Sequence, residues 1–200
     1  DMMAIDAQGG LGLAGARKTL PVSGLDDFKK HVDENAAKLT VGAAGVGSGS
    51  YLGAALLNSG LNVKIQVVNY RGSGDVMNDI MAGNIDYMVE SSTAALPHIQ
   101  GGTLKGLAVL QKDRVKQAPD IPASGESKFP NVTYKIWNAI VVPAKTPAPV
   151  VARLNESVRK TLADPAIRKR ITELGLDIPT EEHQTSEGGQ KLLRDEQARW

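Results

Sequence analysis

One stretch limits the folds open to this chain more than any other, residues 39–53 with the sequence LTVGAAGVGSGSYLG. Its apolar start predicts a buried strand, and glycines at positions 42, 45, 47 and 49 predict a tight turn. Leu52, Ala55 and Leu56 then share one face of a predicted helix. The first N–H groups of such a helix and its partial positive charge face the turn, which makes the turn suited to an anion.

The same order of strand, turn and helix occurs twice more. The segments 63–69 and 85–89 are predicted strands, followed by the turns YRGSG at 70–74 and ESST at 90–93. Sustained alternation of strands and helices predicts an α/β fold with a parallel sheet wrapped by helices. Ligands of such sheets bind at the carboxyl ends of the strands. We therefore expect the three turns to lie together at one edge of the sheet.

The remaining segments extend this pattern. Ser23 is predicted as the N-cap of a helix that carries Leu25, Phe28 and Val32 on its apolar face. A long strand is predicted over 132–142 and a brief one over 177–179. Helices are predicted over 149–162, 165–174 and 186–200, with Asp164 as the cap of the second.

Composition excludes several classes of function. Among the 200 residues, 23 are basic and 22 acidic, and aromatic residues make up only 4%. Without a basic block or stacking aromatics, the chain is not expected to bind nucleic acid. Cysteine is absent, and no apolar run reaches the roughly 18 residues of a membrane span.

No sequence motif of an enzyme is complete in this chain. The glycine turn lacks the Gly-Lys-Ser/Thr of a phosphate loop, and its glycines break the spacing of a dinucleotide fingerprint. The three histidines are not at metal-ligand spacing, so we expect no metal, no cofactor and no catalytic residue. Arg71 is able to pair with a carboxylate, although a surface position against Tyr70 fits it equally well. The glycines at 45, 47 and 49 are also compatible with a tight turn in which they serve only packing and bind no ligand.

The order of motifs resembles that of the solute-binding proteins of tripartite tricarboxylate transporters, known as the Bug or TctC family. Each motif alone is weak evidence for the resemblance, but together, in this order and spacing, the motifs extend over residues 16–200. They read ARKTLP at 16–21, KLTVG at 38–42, AGVGS at 44–48, YRGSG at 70–74, NDIMAGNID at 78–86, LPHIQGG at 96–102, LKGLAV at 104–109, WN at 137–138, PAKTP at 143–147 and LADP at 162–165.

This resemblance implies a type II periplasmic binding protein-like α/β fold with two Rossmann-like lobes, one of them incomplete here. Residues 19–141 would form a nearly complete lobe 2, and residues 1–18 and 142–200 part of lobe 1 and the crossover. Family members are longer, mostly at the front, so we expect a shortened member that lacks the usual N-terminal third. The apolar faces of 147–200 would then pack on lobe 2 or on a second copy, which makes a homodimer possible.

The resemblance also implies a periplasmic solute receptor that performs no reaction. Such a receptor binds a small carboxylate (a di- or tricarboxylate, an amino acid or an aromatic acid) between its lobes and delivers it to membrane permease subunits. Carried over by position, the ligand-binding residues are Gly47, Ser48, Gly49, Ser50, Tyr70, Arg71, Gly72, Glu90, Ser91 and Ser92.

Other functions remain open at this stage. The family commonly has an acidic residue followed by an amide after the third strand, whereas this chain has Glu90 followed by Ser91, so the ligand class stays open. The alternatives are a Rossmann-like enzyme that binds a nucleotide or a phosphorylated substrate, and a truncated fragment that no longer binds.

Overall fold

The computed structural model describes residues 7–173 and 176–199. The chain divides into two compact units, one from Leu11 to Ile136 and one made of the residues on either side of it. The helix predicted to follow Ser23 is present and buries Leu25, Phe28 and Val32 as expected. The elements are β1 (Ala7–Arg17), α1 (Leu25–Asn35), β2 (Thr40–Ala43), α2 (Gly49–Gly60), β3 (Gln66–Asn69), α3 (Ser73–Ala82), β4 (Tyr87–Ser91), α4 (Ser92–Gln100), β5 (Leu104–Val109), β6 (Lys135–Asn138), α5 (Ala148–Ala163), α6 (Pro165–Glu173) and α7 (Ser186–Arg199), with short 3-10 turns at Ala36–Lys38 and Ser124–Glu126.

The six strands form one mixed sheet in the order β3-β2-β4-β1-β5, with β6 paired to β1 outside this path. The predicted parallel arrangement holds for β2, which is parallel to β3 and to β4. It is wrong for β1, which runs antiparallel to both β4 and β5. β1 is rich in glycine and alanine, so its sequence has little hydrophobic periodicity from which its place in the sheet could be predicted.

The sheet of the unit Leu11–Ile136 has a hydrophobic cluster on each face. Tyr87 and Val89 of β4 pack with α1 and α2, and Met88 between them packs with α3 and α4. This alternation is the two-residue period of a strand. The chain therefore leaves β2 toward one face and leaves β4 toward the other. A crevice at the carboxyl end of such neighbouring strands is the usual ligand position in α/β sheets.

Three local predictions are wrong. Ser23 does not cap α1; the helix has Gly24 as its N-cap, and the Ser23 hydroxyl donates to the Asp27 carboxylate instead. The strand predicted over 132–142 is limited to β6, and Ile140 and Val141 beyond it are exposed, so apolar character there does not reflect a buried strand. Residues 177–179 form no strand.

The second unit contributes the helices α5, α6 and α7. Its apolar cluster is small and is centred on the buried Leu162. Asp164 caps α6 as predicted, because its Oδ1 accepts the N–H groups of Ala166 at 2.8 Å and Ile167 at 3.2 Å. Residues 174 and 200, the predicted ends of the last two helices, lie outside the described residues. None of the helices in the described ranges has both the length and the apolar character needed to cross a bilayer.

Candidate functional site

The turn after β2 has a fixed backbone. Gly45 and Gly47 have φ values of +85° and +83°, a left-handed conformation that glycine adopts without the steric cost of a Cβ. Ser48 is the N-cap of α2, and its Oγ accepts the N–H of Tyr51 at 3.1 Å and donates to the carbonyl of Gly45 at 2.8 Å. These bonds shape the turn independently of a ligand.

The start of α2 offers hydrogen-bond donors. Within the described ranges, no acceptor pairs with the backbone N–H groups of Gly47, Gly49 and Ser50. The hydroxyl of Ser50 is already used: it accepts the N–H of Ala44 at 2.8 Å, lies 3.1 Å from the Ser48 hydroxyl and is buried. The donors that an anion would meet are therefore mainly backbone groups at the positive end of the helix.

The turn after β3 is tied to the first turn. The N–H of Tyr70 donates to the carbonyl of Ala43 at 2.8 Å, and its phenol donates to Asp79 Oδ2 at 2.7 Å. Burial, followed by this bond to a carboxylate, raises the pKa of Tyr70 to about 12. Gly72 is the N-cap of α3. Arg71 is exposed, and no described residue pairs with its guanidinium.

The turn after β4 is joined to the second turn by a carboxyl group. Glu90 is only 4% exposed, and its Oε2 accepts the hydroxyl of Ser73, the first residue of α3, at 3.0 Å. Ser91 is the N-cap of α4, and its hydroxyl lies 3.0 Å from that of Thr93. Ser92 is fully buried. Three helix N-termini thus meet at one edge of the sheet; we refer to residues 44–50, 70–73 and 90–93 as the turn edge.

The environment of Glu90 disfavours its charged form. Burial raises the pKa of this carboxyl above its ordinary value, although the Ser73 hydroxyl, the Ser91 N–H and the Ser50 hydroxyl favour the charged form. Oε2 has the well-formed bond to Ser73, whereas Oε1 is buried without a hydrogen bond of good geometry from any described residue. The turn edge therefore contains a carboxyl that is only partly satisfied.

The structure brings the ten predicted ligand-binding residues to one edge but gives them different exposures. Gly47 and Arg71 are exposed, whereas Ser50, Glu90 and Ser92 are buried. The role of these residues in binding stays a prediction; the buried side chains shape the turn edge, and the exposed residues face solvent.

Two residues that support the turn edge, Ser73 and Tyr134, were not predicted from the sequence as site residues. Ser73 lies inside the YRGSG turn, so its position was visible, but its bond to Glu90 depends on the packing of α3. Tyr134 donates its phenol to the Gly49 carbonyl at 2.7 Å, and its ring packs against Gly53, where an added Cβ would lie 2.8 Å from Cε1. No signal in the sequence places residue 134 beneath a turn 85 residues earlier.

Metal binding finds no support in the side chains around these turns. Within the described ranges, no three His, Asp or Glu side chains lie together as metal ligands would. The turn edge contains hydroxyls, backbone N–H groups and a guanidinium, which are groups of the kind that bind anions, together with the Glu90 carboxyl.

Comparison with protein families gives a match over nearly the whole chain. Residues 8–200 match the family described as tripartite tricarboxylate transporter family receptor. A UPF0065 protein of Agrobacterium vitis is 33% identical over 159 residues, covering 80% of this chain and 46% of that protein. Protein BugT of Bordetella pertussis is 27% identical over 155 residues, covering 78% of this chain and 47% of that protein. The chain spans about half the length of the curated relatives it matches.

Solved structures give the same result for the fold. MatC from Rhodopseudomonas palustris with bound malate has a TM-score of 0.92 and 30% identity, over 100% of this chain and 68% of that one. The periplasmic binding protein BugD has a TM-score of 0.87 and 28% identity, over 99% of this chain and 68% of that one. These similarities confirm the predicted fold class and the resemblance seen in the sequence. The matched family is described as a receptor family, and BugD is described as a periplasmic binding protein.

Proposed function

Because this chain belongs to the tripartite tricarboxylate transporter receptor family, we propose that it is a periplasmic solute receptor that binds a small carboxylate at its turn edge. It then delivers this solute to the membrane permease subunits of the transporter and catalyses no reaction. The ligand-binding residues proposed are those of the three turns: Gly47, Ser48, Gly49, Ser50, Tyr70, Arg71, Gly72, Glu90, Ser91 and Ser92.

The observation that carries the proposal is the N-terminus of α2. Its cap is satisfied by Ser48, while the N–H groups of Gly47, Gly49 and Ser50 have no acceptor among the described residues. Two further helix N-termini, of α3 and α4, lie at the same edge. Backbone donors of this kind favour a negatively charged oxygen, and Arg71 adds an exposed cation beside them.

The choice of a carboxylate as the anion is supported by the similarity to MatC, whose structure contains malate. A phosphate would fit the same partial charges, but this chain has no Gly-Lys-Ser/Thr after the glycine turn. We therefore favour di- and tricarboxylates as the first compounds to test.

Thermal unfolding with a panel of compounds tests the proposal. The panel contains malate, succinate, citrate, aspartate and benzoate, with AMP, NADH, glucose 6-phosphate and sulfate at matched ionic strength. A ligand at 100 times its Kd stabilises the folded state by about 2.7 kcal/mol, which is roughly 5–11 °C in Tm for a unit of this size. We expect such a shift with at least one carboxylate and none with sulfate.

Other outcomes separate the alternatives. A shift with AMP or NADH alone would favour the Rossmann-like enzyme, and no shift with any compound would favour a fragment that does not bind. Delivery is tested separately, by uptake of the bound carboxylate into cells that express the permease subunits with and without this receptor. Uptake that does not depend on the receptor contradicts the delivery role.

A further inference from the structure

Glu90 is among the proposed ligand-binding residues, but the binding role above assigns no task to its buried carboxyl. It is 4% exposed and has one well-formed hydrogen bond, from Ser73. Its buried Oε1 has no hydrogen bond of good geometry from a described residue, although the Ser91 N–H and the Ser50 hydroxyl also favour the charged form. A buried carboxylate is stabilised as an anion only when several donors or a cation satisfy it. With one good donor, the neutral form is favoured more than in an exposed glutamate.

No cation in the described structure neutralises this carboxyl. Elements β1, β2, α2, α3 and α4 pack against β4. Arg17 lies at the other end of β4, where it pairs with Asp86 at 2.9 Å, and Asp79 is held by Tyr70 and Asn84. None of these groups, nor the exposed Arg71 of the second turn, forms an ion pair with Glu90 within the described ranges. The partial charges of the helix N-termini are therefore the positive charge around it. The titratable groups on the packed elements are Arg17 of β1, Tyr51 of α2, Asp75 and Asp79 of α3, and His98 of α4, with none on β2.

On the premise of the proposed function, we propose that Glu90 takes up one proton from solvent when a carboxylate binds at the turn edge, and so sets the charge that this site accepts. The proton moves from water or buffer to one Glu90 oxygen, and no other bond changes. The site then favours ligands that present only anionic and hydroxyl groups to Glu90, such as malate or succinate, over ligands that present an ammonium group.

The physical reason is repulsion between like charges in a buried site. A ligand carboxylate at the N-terminus of α2 would lie next to Ser50, whose hydroxyl interacts with Glu90. Glu90 is also bonded to Ser73 in the second turn. A second negative charge nearby raises the pKa of a carboxyl, and burial has already raised the pKa of Glu90. The neutral carboxyl removes the repulsion and keeps its bond from Ser73.

Isothermal titration calorimetry with malate in two buffers of different ionisation enthalpy counts the protons taken up. We expect uptake of up to one proton per malate in the parent protein. Uptake of one proton also makes Kd rise by up to tenfold per pH unit, and the range from about pH 6.5 to 8.5 keeps both malate carboxyls ionised. Glu90→Gln, which resembles the neutral carboxyl, should bind malate without uptake and with a nearly constant Kd.

Two further variants control the interpretation. Glu34→Gln changes an exposed carboxyl away from the turn edge, so its proton uptake and the pH dependence of its Kd should equal those of the parent. Comparing the variants with the parent also cancels any proton uptake by the histidines. Ser73→Ala removes the hydroxyl that favours charged Glu90, so the pH range of proton uptake should move upward. If Ser73 and Glu90 only shaped the turns, this substitution would weaken malate binding without moving the pH profile.

Several results would overturn the inference while the receptor function stands. One is equal proton uptake in the parent and Glu90→Gln. Another is loss of malate binding in Glu90→Gln with no uptake in the parent, which would mean that charged Glu90 pairs with a ligand donor. A carbon-13 NMR titration of the ligand-free protein adds a test without malate, since a Glu90 midpoint at its ordinary value of about 4.3 also refutes the proposal. If malate, succinate and citrate all fail to stabilise the parent, the receptor function itself fails first.

Discussion

Two glycines with the same backbone geometry allow the role of the turn edge to be isolated. Gly47 in the first turn has φ +83°, and Gly83 at the C-terminus of α3 has φ +84°. No heavy atom lies within 4 Å of the position where a Cβ would be added at either residue. Alanine at either site therefore adds the same left-handed strain without a clash, but only Gly47 belongs to the turn edge.

The magnitude of the strain follows from this geometry. A left-handed L-residue costs about 1–2 kcal/mol, so Gly47→Ala and Gly83→Ala should lose similar stability, equivalent to roughly 2–8 °C in Tm. Carboxylate affinity should fall only for Gly47→Ala. Its methyl occupies the open side of the turn and shifts the neighbouring N–H donors, and one lost charge-assisted hydrogen bond corresponds to about a 10- to 100-fold rise in Kd.

Thermal unfolding gives the stability of the two variants, and calorimetry with malate gives the affinity. Unchanged malate affinity in Gly47→Ala would mean that the turn is only a packing feature. An equal loss in Gly83→Ala would mean that strain anywhere in this unit weakens binding. Stability losses that differ strongly between the variants would refute the argument that their strain is the same.

Three further predictions concern the same unit. Ser48→Ala removes the N-cap of α2, so it should lower the free energy of unfolding by about 1 kcal/mol and also weaken malate binding. Denaturant unfolding measures the first effect and calorimetry the second. Unchanged stability would exclude the capping role. Gly42→Ala places a Cβ against the Ile85 Cδ1 methyl and should destabilise by about 1–3 kcal/mol through overpacking, which a Tm equal to the parent's would contradict. The Arg114 guanidinium lowers the pKa of Glu126 from its ordinary 4.5 to about 2, so the charged carboxylate stabilises the fold above about pH 4.5 and loses that effect as the pH falls toward 2. The Tm difference between the parent and Glu126→Gln should therefore shrink over that range. A constant difference would refute the coupling.

Local sequence patterns predicted much of this fold. The run at 39–53 indicated a strand, a tight turn and a helix, and the structure has β2, a turn with left-handed Gly45 and Gly47, and α2. Asp164 was correctly identified as a helix cap. Such features depend on residues within a few positions of one another, and for that reason their physics is visible in a single sequence.

Other features required contacts between distant parts of the chain. The antiparallel placement of β1 depends on pairing with strands more than 70 residues away, for which a glycine- and alanine-rich segment gives no periodic signal. Ser23 fails as a cap for a local reason instead, because its hydroxyl donates to the nearby Asp27 carboxylate. A local propensity is overruled wherever another contact satisfies the same group.

The candidate site shows the same division. By itself the sequence indicated that three turns rich in glycine, serine or threonine follow strands, and it predicted an anion as the ligand of their shared edge. Only the tertiary structure decided that the Ser73 hydroxyl reaches Glu90, that Ser50 and Ser92 are buried, and that Glu90 Oε1 is left without a partner among the described residues. Burial and hydrogen-bond partners come from elements packed together from distant positions, and burial raises the pKa of Glu90 above its ordinary value, which residue type alone does not do.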